Sequence, residues 1–118
     1  MPQGKIYIDI TGRIWGTIKD DLNVPLAGSA VTALTLTIRN RDASNTIVNS
    51  RNESSLTPVG TYLSEAGALT IDLLPADNVL IDATKHEETH RIIVKWTYTG
   101  GAKGLLAEDY NVQNPAVV

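Results

Sequence analysis

The chain has 118 residues, of which 42% are apolar and 19% charged, so its composition is that of a globular protein and excludes a disordered one. Its net charge is −3 and its basic residues form no run, which argues against nucleic-acid binding. It contains no cysteine, so disulfides and cysteine-ligated zinc are excluded. The start, MPQGK, lacks an apolar signal core, and no run approaches the ~18 apolar residues of a membrane span. We therefore expect one domain over residues 1–118.

The first two predicted strands lie at residues 5–10 and 13–18, where apolar and polar residues alternate. In the first strand, Ile6, Ile8 and Ile10 share one face. This apolar stripe makes residues near the N-terminus candidates for contact with another protein.

The two tryptophans are predicted to have different environments. Trp15 lies on the strand face opposite Ile14 and Ile18, so we predict that it is an exposed contact residue. Trp96 shares a face with Ile92, so we predict that it belongs to the core.

The clearest strand is predicted at residues 33–39, with Leu34, Leu36 and Ile38 facing inward and Thr37 facing outward. One helical turn is expected near Pro75 and Asn78, because Pro75 cannot donate to a strand ladder. Seven to eight short strands without a long helical period predict an all-β sandwich or barrel. The other predicted strands lie at residues 46–50, 61–63, 68–73, 88–98 and 105–112.

The sharpest chemical pattern, His86-Glu87-Glu88-Thr89-His90, matches the HExxH signature of zinc peptidases. That chemistry needs a helix, which brings the two histidines onto one face. Here the pattern enters residues 91–98, which are β-branched and aromatic, and four residues of strand span about 13 Å. We interpret His86 and His90 as a chance match, and expect no metal, no cofactor and no enzymatic activity.

Two groups of acidic residues are weaker candidates. Asp20, Asp21 and Asn23 could offer oxygens to calcium, but the ligand spacing and glycine of a calcium loop are missing. A solvated turn is the better interpretation. Asp77 and Asp82 could be paired carboxylates, but Asp77 fits better as a cap or turn residue after the proline.

Three segments of the second half carry a family resemblance. They are Leu74-Pro75-Ala76-Asp77-Asn78, Glu88-Thr89-His90-Arg91 and Lys95-Trp96-Thr97-Tyr98-Thr99-Gly100-Gly101. Over residues 30–113 the chain resembles small immunoglobulin-like virion proteins of tailed bacteriophages. The resemblance implies an immunoglobulin-like β-sandwich and a virion component present in many copies, and it carries no catalytic residues.

The first functional expectation is a capsid decoration (cement) protein, synthesised in the host cytoplasm, that binds the major capsid protein or other virion proteins. Sheet edges or loops would make the contact, as would residues 1–18, a candidate N-terminal arm or edge strand. The expected contact residues are Ile6, Ile8, Ile10 and Trp15. Alternatives are a tail, baseplate or head–tail adaptor module, and a carbohydrate-binding adhesion module that uses exposed aromatic rings. A homo-oligomer is compatible with each of these; nucleic acid and membrane are not expected partners.

Overall fold

The computed structural model describes residues 4–8, 13–20, 22, 24–41, 46–49, 51–73, 77, 87–98 and 100–113, with the backbone alone at 4–8 and 113. The 3₁₀ turns Gly28–Ala30 and Val59–Thr61 interrupt a succession of strands. The strands are β1 (Gly4–Ile8), β2 (Arg13–Ile18), β3 (Val31–Asn40), β4 (Thr46–Ile47), β5 (Ser54–Ser55), β6 (Ala68–Asp72), β7 (Glu87–Tyr98) and β8 (Ala102–Gln113).

These strands form two antiparallel sheets. One has the order β1-β2-β6. The other has the order β4-β3-β7-β8. The two-residue strand β5 also pairs with β3, at Thr35 and Leu36, on the N-terminal side of the pairing with β4. The predicted all-β architecture is confirmed, whereas the immunoglobulin-like assignment stays a prediction.

A single apolar core joins the two sheets, as expected for a sandwich. The alternation predicted for β3 and β7 is confirmed, since every second residue of their central parts is buried. Burial of each large aliphatic side chain stabilises the fold by roughly 1.5–3 kcal/mol. The core residues of the long strands are Ile14, Ile18, Leu34, Leu36, Ile38, Leu69, Ile71, Ile92, Val94 and Trp96.

Trp96 is the largest fully buried side chain, at 2% exposure, so its predicted core position is confirmed. Its indole ring lies over Gly104, the residue directly opposite it in β8. A Cβ atom at position 104 would overlap the six-membered ring of the indole. The ring therefore requires glycine at this position.

The β7–β8 hairpin turns through Gly100 and Gly101, whose φ angles are +89° and +80°. Consecutive positive φ angles are favourable for glycine and typical of tight hairpin turns. The Gly101 amide donates to the Tyr98 carbonyl, and β8 starts at Ala102. β8 thus starts three residues earlier than the strand predicted at residues 105–112.

Two predicted strands differ in the structure. Residues 61–63 do not form a strand: Thr61 ends a 3₁₀ turn, and only Leu63 makes an isolated bridge to β6. The strand at residues 46–50 ends at Ile47, because Asn49 adopts a φ of 52° and turns the chain. In both places short-range turn geometry overrides a brief apolar alternation.

Thr37 lies on the outer face of β3, as predicted. It is nevertheless buried, because the neighbouring segment folds across it. The Glu53 amide donates to the Thr37 Oγ1 atom over 2.9 Å. This hydrogen bond satisfies both polar groups.

Of the helical turn predicted near Pro75 and Asn78, only Asp77 belongs to the described residues, and it has 3₁₀ conformation, in agreement with the prediction. Among those residues, no helix is long and apolar enough to span a bilayer.

Candidate functional site

The HExxH pattern lies at the start of β7, and its described part, residues 87–90, is a strand, as predicted. His86 lies outside the described residues. Glu87 is exposed, whereas His90 is fully buried on the opposite strand face, with its Nε2 atom 3.1 Å from the Glu88 Oε1 atom. The glutamate that would activate water therefore faces away from the histidine that would hold zinc. Within the described residues, no group of three metal-ligating side chains could hold a metal ion.

We expect the purified chain to carry far less than one zinc ion per molecule after dialysis against zinc, because a strand separates the two histidines. Metal analysis by mass spectrometry, with a peptidase assay, measures this directly. One zinc ion per chain that is lost in a His86→Ala variant would contradict the interpretation.

Asp77 has the 3₁₀ conformation of a turn residue, as predicted, but its side chain has a role that the sequence did not show. The side chain is fully buried, and the Arg51 guanidinium donates to both of its oxygens, from Nε over 2.9 Å and from Nη2 over 3.2 Å. Asn49 Nδ2 also donates to Asp77 Oδ1, over 2.8 Å. The hydrogen bond from Arg51 to Asp77 raises the pKa of the guanidinium, which remains charged. The aspartate is therefore half of a buried ion pair.

A row of polar side chains lies on the inner face of the five-stranded sheet. Asn40, His90 and Tyr110 are register partners across β3, β7 and β8, and the His90 and Tyr110 rings meet edge to face at 5.7 Å. Glu88 and Asp77 are buried with them. We call these five residues the polar end of the core. Since its acidic and imidazole groups are buried, a substrate does not reach them in this conformation.

The polar end is therefore a buried part of the core, where the His90 Nε2 atom bonds Glu88. Buried polar groups that are hydrogen-bonded favour one arrangement of the core, although they add little net stability over an apolar replacement. The sequence contained a partial sign of this cluster. The row of inward-facing residues that includes Ile38 in β3 reaches Asn40 at the next inward position. In the antiparallel strand β7, the inward position before Ile92 is His90.

Tyr110 gives the polar end a pH dependence. Burial raises the pKa of the Tyr110 phenol well above its ordinary value, and the negative charge of Asp77 raises it further. The folded chain then keeps a proton that the unfolded chain loses at a pH of about 10. The free energy of unfolding consequently falls as the pH rises above that value.

We expect a Tyr110→Phe variant to lose stability less steeply than the parent chain above a pH of about 10, because it has no phenol to titrate at this position. Urea unfolding at several alkaline pH values measures the slope. The same slope in both proteins would show that this phenol does not carry the effect.

Of the four predicted contact residues, the structure describes the side chain of one. Trp15 is 41% exposed on the outer face of the three-stranded sheet. Ile6 and Ile8 lie in β1, where they pair with Gly16 and Ile14, but their side chains are outside the described part of the chain. Ile10 lies outside it entirely.

A second exposed apolar surface was missed from the sequence. Leu22 is 78% exposed and Val24 53% exposed, in a tight loop after β2. The Asp20 carboxylate accepts hydrogen bonds from both of their amides over 2.9 Å, so Asp20 stabilises a turn. Its candidate calcium partners, Asp21 and Asn23, are outside the described residues. We call Asp20, Leu22, Val24 and Pro25 the tip loop.

A groove of about 490 Å³ crosses the outer face of the five-stranded sheet. Leu105, 51% exposed, and Ala33 are apolar residues of its lining. Lys95 and Lys103 also line it, and the Lys95 Nζ atom lies 3.5 Å from the Glu53 Oε1 atom. We call this feature the outer groove.

The same outer face is rich in cations, although the whole chain is acidic. Arg91 forms a two-point ion pair with Asp109, at 2.7 Å from Nε and 3.3 Å from Nη2, and Arg41 approaches the same carboxylate to 3.5 Å. The hydrogen bond from Arg91 lowers the pKa of Asp109. Strand alternation and the ion pairs place eight of the described charged residues on this face, five cationic and three anionic. The cationic residues are Arg39, Arg41, Arg91, Lys95 and Lys103, and the anionic residues are Glu53, Glu87 and Asp109.

Comparisons with models of protein families, with curated proteins and with solved structures found no match. The class of this protein therefore rests on its architecture. It is an all-β protein of two antiparallel sheets that share one core. Its described surface presents exposed apolar side chains at Trp15, the tip loop and the outer groove.

Proposed function

We propose that this chain is a structural protein of a bacteriophage particle, a capsid decoration protein that binds the major capsid protein. One contrast supports a binding role. The histidine and carboxylates of the polar end are buried, whereas large apolar side chains such as Trp15 and Leu22 are held in solvent. Exposed aromatic and aliphatic anchors of this kind are typical of protein interfaces. The particle itself is inferred from the resemblance of residues 88–91 and 95–101 to immunoglobulin-like virion proteins.

Trp15 is the best anchor for the capsid contact. It lies at the centre of its sheet, opposite Thr70 of β6, and next to an exposed ion pair between Arg13 and Asp72 on the same face. A tryptophan surrounded by polar side chains resembles the usual arrangement of an interface hot spot.

A carbohydrate-binding role has less support, because it requires several exposed rings in one plane. Among the aromatic side chains that the structure describes, Tyr62, Tyr98 and Tyr110 are partly buried against the core and Trp96 is fully buried. Trp15 alone of these is exposed. One ring is a weak platform for a sugar chain.

The copy number of the chain in purified particles tests the proposal. Quantitative mass spectrometry against the major capsid protein is expected to give hundreds of copies per particle, since decoration proteins follow the symmetry of the shell. About six or twelve copies would place the chain at the neck or tail, and contradict the capsid location while preserving a virion role. Absence from particles would overturn the proposal.

The Trp15 contact has its own test. Deleting residues 1–10 is unsuitable, because this removes β1, which pairs with β2 along five residues. A Trp15→Ala variant keeps the strand, and we expect about tenfold weaker binding to particles stripped of the chain. Thr70→Ala on the neighbouring strand is the matched control. Equal binding of the parent and the Trp15 variant would exclude this residue from the contact.

A further inference from the structure

We propose that the tip loop of one copy of this chain docks into the outer groove of a second copy. The inference concerns contact between copies, and it goes beyond the proposed function without depending on it. It would hold on a particle, where many copies lie side by side, and also in concentrated solution.

Hydrogen bonds hold the described residues of the tip loop in place. Besides the two hydrogen bonds to the Asp20 carboxylate, the Asp20 amide donates to the Val24 carbonyl and the Leu26 amide donates to the Ile18 carbonyl, each over 2.9 Å. An isolated bridge between Lys19 and Pro25 closes the base of the loop. Binding of Leu22 and Val24 thus requires little further ordering of the backbone.

The outer groove offers a suitable surface for these two side chains. Its volume of about 490 Å³ is ample for a leucine and a valine side chain together. Leu105 and Ala33 supply apolar contact surface, and Leu105 is half exposed when the groove is empty. Docking would therefore remove exposed apolar surface from water on both copies, which is the main favourable term in association.

The charged residues of the outer groove and of the tip loop favour the tip loop over an uncharged apolar segment as the occupant of the groove. Lys95, Lys103 and Glu53 line the outer groove, and Glu53 pairs with Lys95, so the charged side chains of the lining carry a net charge of +1. The tip loop carries the Asp20 carboxylate beside its apolar residues, and the sequence adds Asp21, while Lys19 lies at the base of the loop. Because the chain is acidic overall, its cationic face attracts a second copy and orients its acidic tip toward the lysines.

The contact joins two different surfaces. It is isologous if two copies exchange their tip loops reciprocally in a dimer, and heterologous if it continues from copy to copy. Two anchoring side chains bury much less area than a stable interface of about 1,600 Å². We therefore expect self-association at micromolar to millimolar concentration, which becomes effective where many copies are held together.

Sedimentation velocity of the full chain tests this inference. The sedimentation coefficient of the parent is expected to rise with concentration. A Leu22→Ser, Val24→Ser variant should weaken association about tenfold or more, since it removes both apolar anchors. Trp15→Ser, which removes an exposed apolar side chain from the other sheet, is the matched control and should associate like the parent. A parent that stays monomeric, or a tip-loop variant that associates as the parent does, would overturn the inference.

Disulfide trapping locates the contact, and the absence of native cysteine makes it specific. A Leu22→Cys chain and a Leu105→Cys chain are mixed and oxidised, and the mixed disulfide is counted by mass spectrometry. We expect it to exceed the fraction formed by Leu22→Cys with Trp15→Cys, and to fall when Lys103→Glu is added to the Leu105→Cys chain. Equal trapping with both partners would overturn the inference. The trapping experiment contains no phage particle, so its result does not bear on the proposed capsid role. The copy number in particles tests that role separately.

Discussion

Replacement of Asp77 by alanine is expected to lower the free energy of unfolding by about 3–5 kcal/mol, since removal of one partner leaves a largely buried charge without its counterion. The Arg51 side chain is only one-fifth exposed, and it donates two hydrogen bonds to this carboxylate. Asn49 loses an acceptor as well. Chemical denaturation followed by tryptophan fluorescence measures the loss.

Two controls make this result specific to burial. Asp72→Ala breaks the exposed ion pair with Arg13, where both side chains are more than half exposed, and should cost less than about 1 kcal/mol. An Arg51→Leu, Asp77→Leu double variant leaves no unpaired charge and should be more stable than Asp77→Ala. If Asp77→Ala lowered the free energy of unfolding as little as Asp72→Ala does, solvent would be screening the ion pair between Arg51 and Asp77.

Gly104→Ala is expected to destabilise the fold by about 1–3 kcal/mol, because a methyl group at this position overlaps the buried ring of Trp96 and forces the core to rearrange. Gly60→Ala provides the matched control. Its Cβ atom would meet nothing within 4 Å, and its backbone is not in the left-handed region. The control should be neutral or slightly stabilising, because alanine has less freedom in the unfolded chain.

A double-mutant cycle attributes the Gly104 effect to the ring. Trp96→Leu removes the indole and should itself be costly, but Gly104→Ala should cost much less in that background. The coupling free energy would then be of the order of 1 kcal/mol or more in favour of the double variant. Additive effects would show that the methyl group conflicts with the backbone of the sheet.

The polar end and the exposed apolar surfaces have different roles in this protein. The polar end is largely buried, so variants there should change stability. Trp15, Leu22 and Leu105 are exposed, so variants there should change binding with little effect on folding. Stability and binding can consequently be tested separately.

The sequence by itself determined the all-β class of the fold and the positions of the strands β2 and β7. Residues 88–98 were predicted as a strand and β7 spans Glu87–Tyr98; residues 13–18 coincide with β2. Alternation along a strand is local, because successive side chains point to opposite faces whatever their partners are. The same rule placed Trp96 in the core and Trp15 outside.

Only the tertiary structure decided which polar residues are buried and which apolar ones are not. Asp77 follows a proline in a stretch that looks like a turn, yet it pairs with Arg51, 26 residues earlier in the chain. Thr37 is covered by a segment 16 residues away, and Leu22 is held in solvent by Asp20 within a loop that looks polar. These outcomes depend on contacts between distant segments and on the path of a loop. Hydrophobic periodicity carries no information about either one.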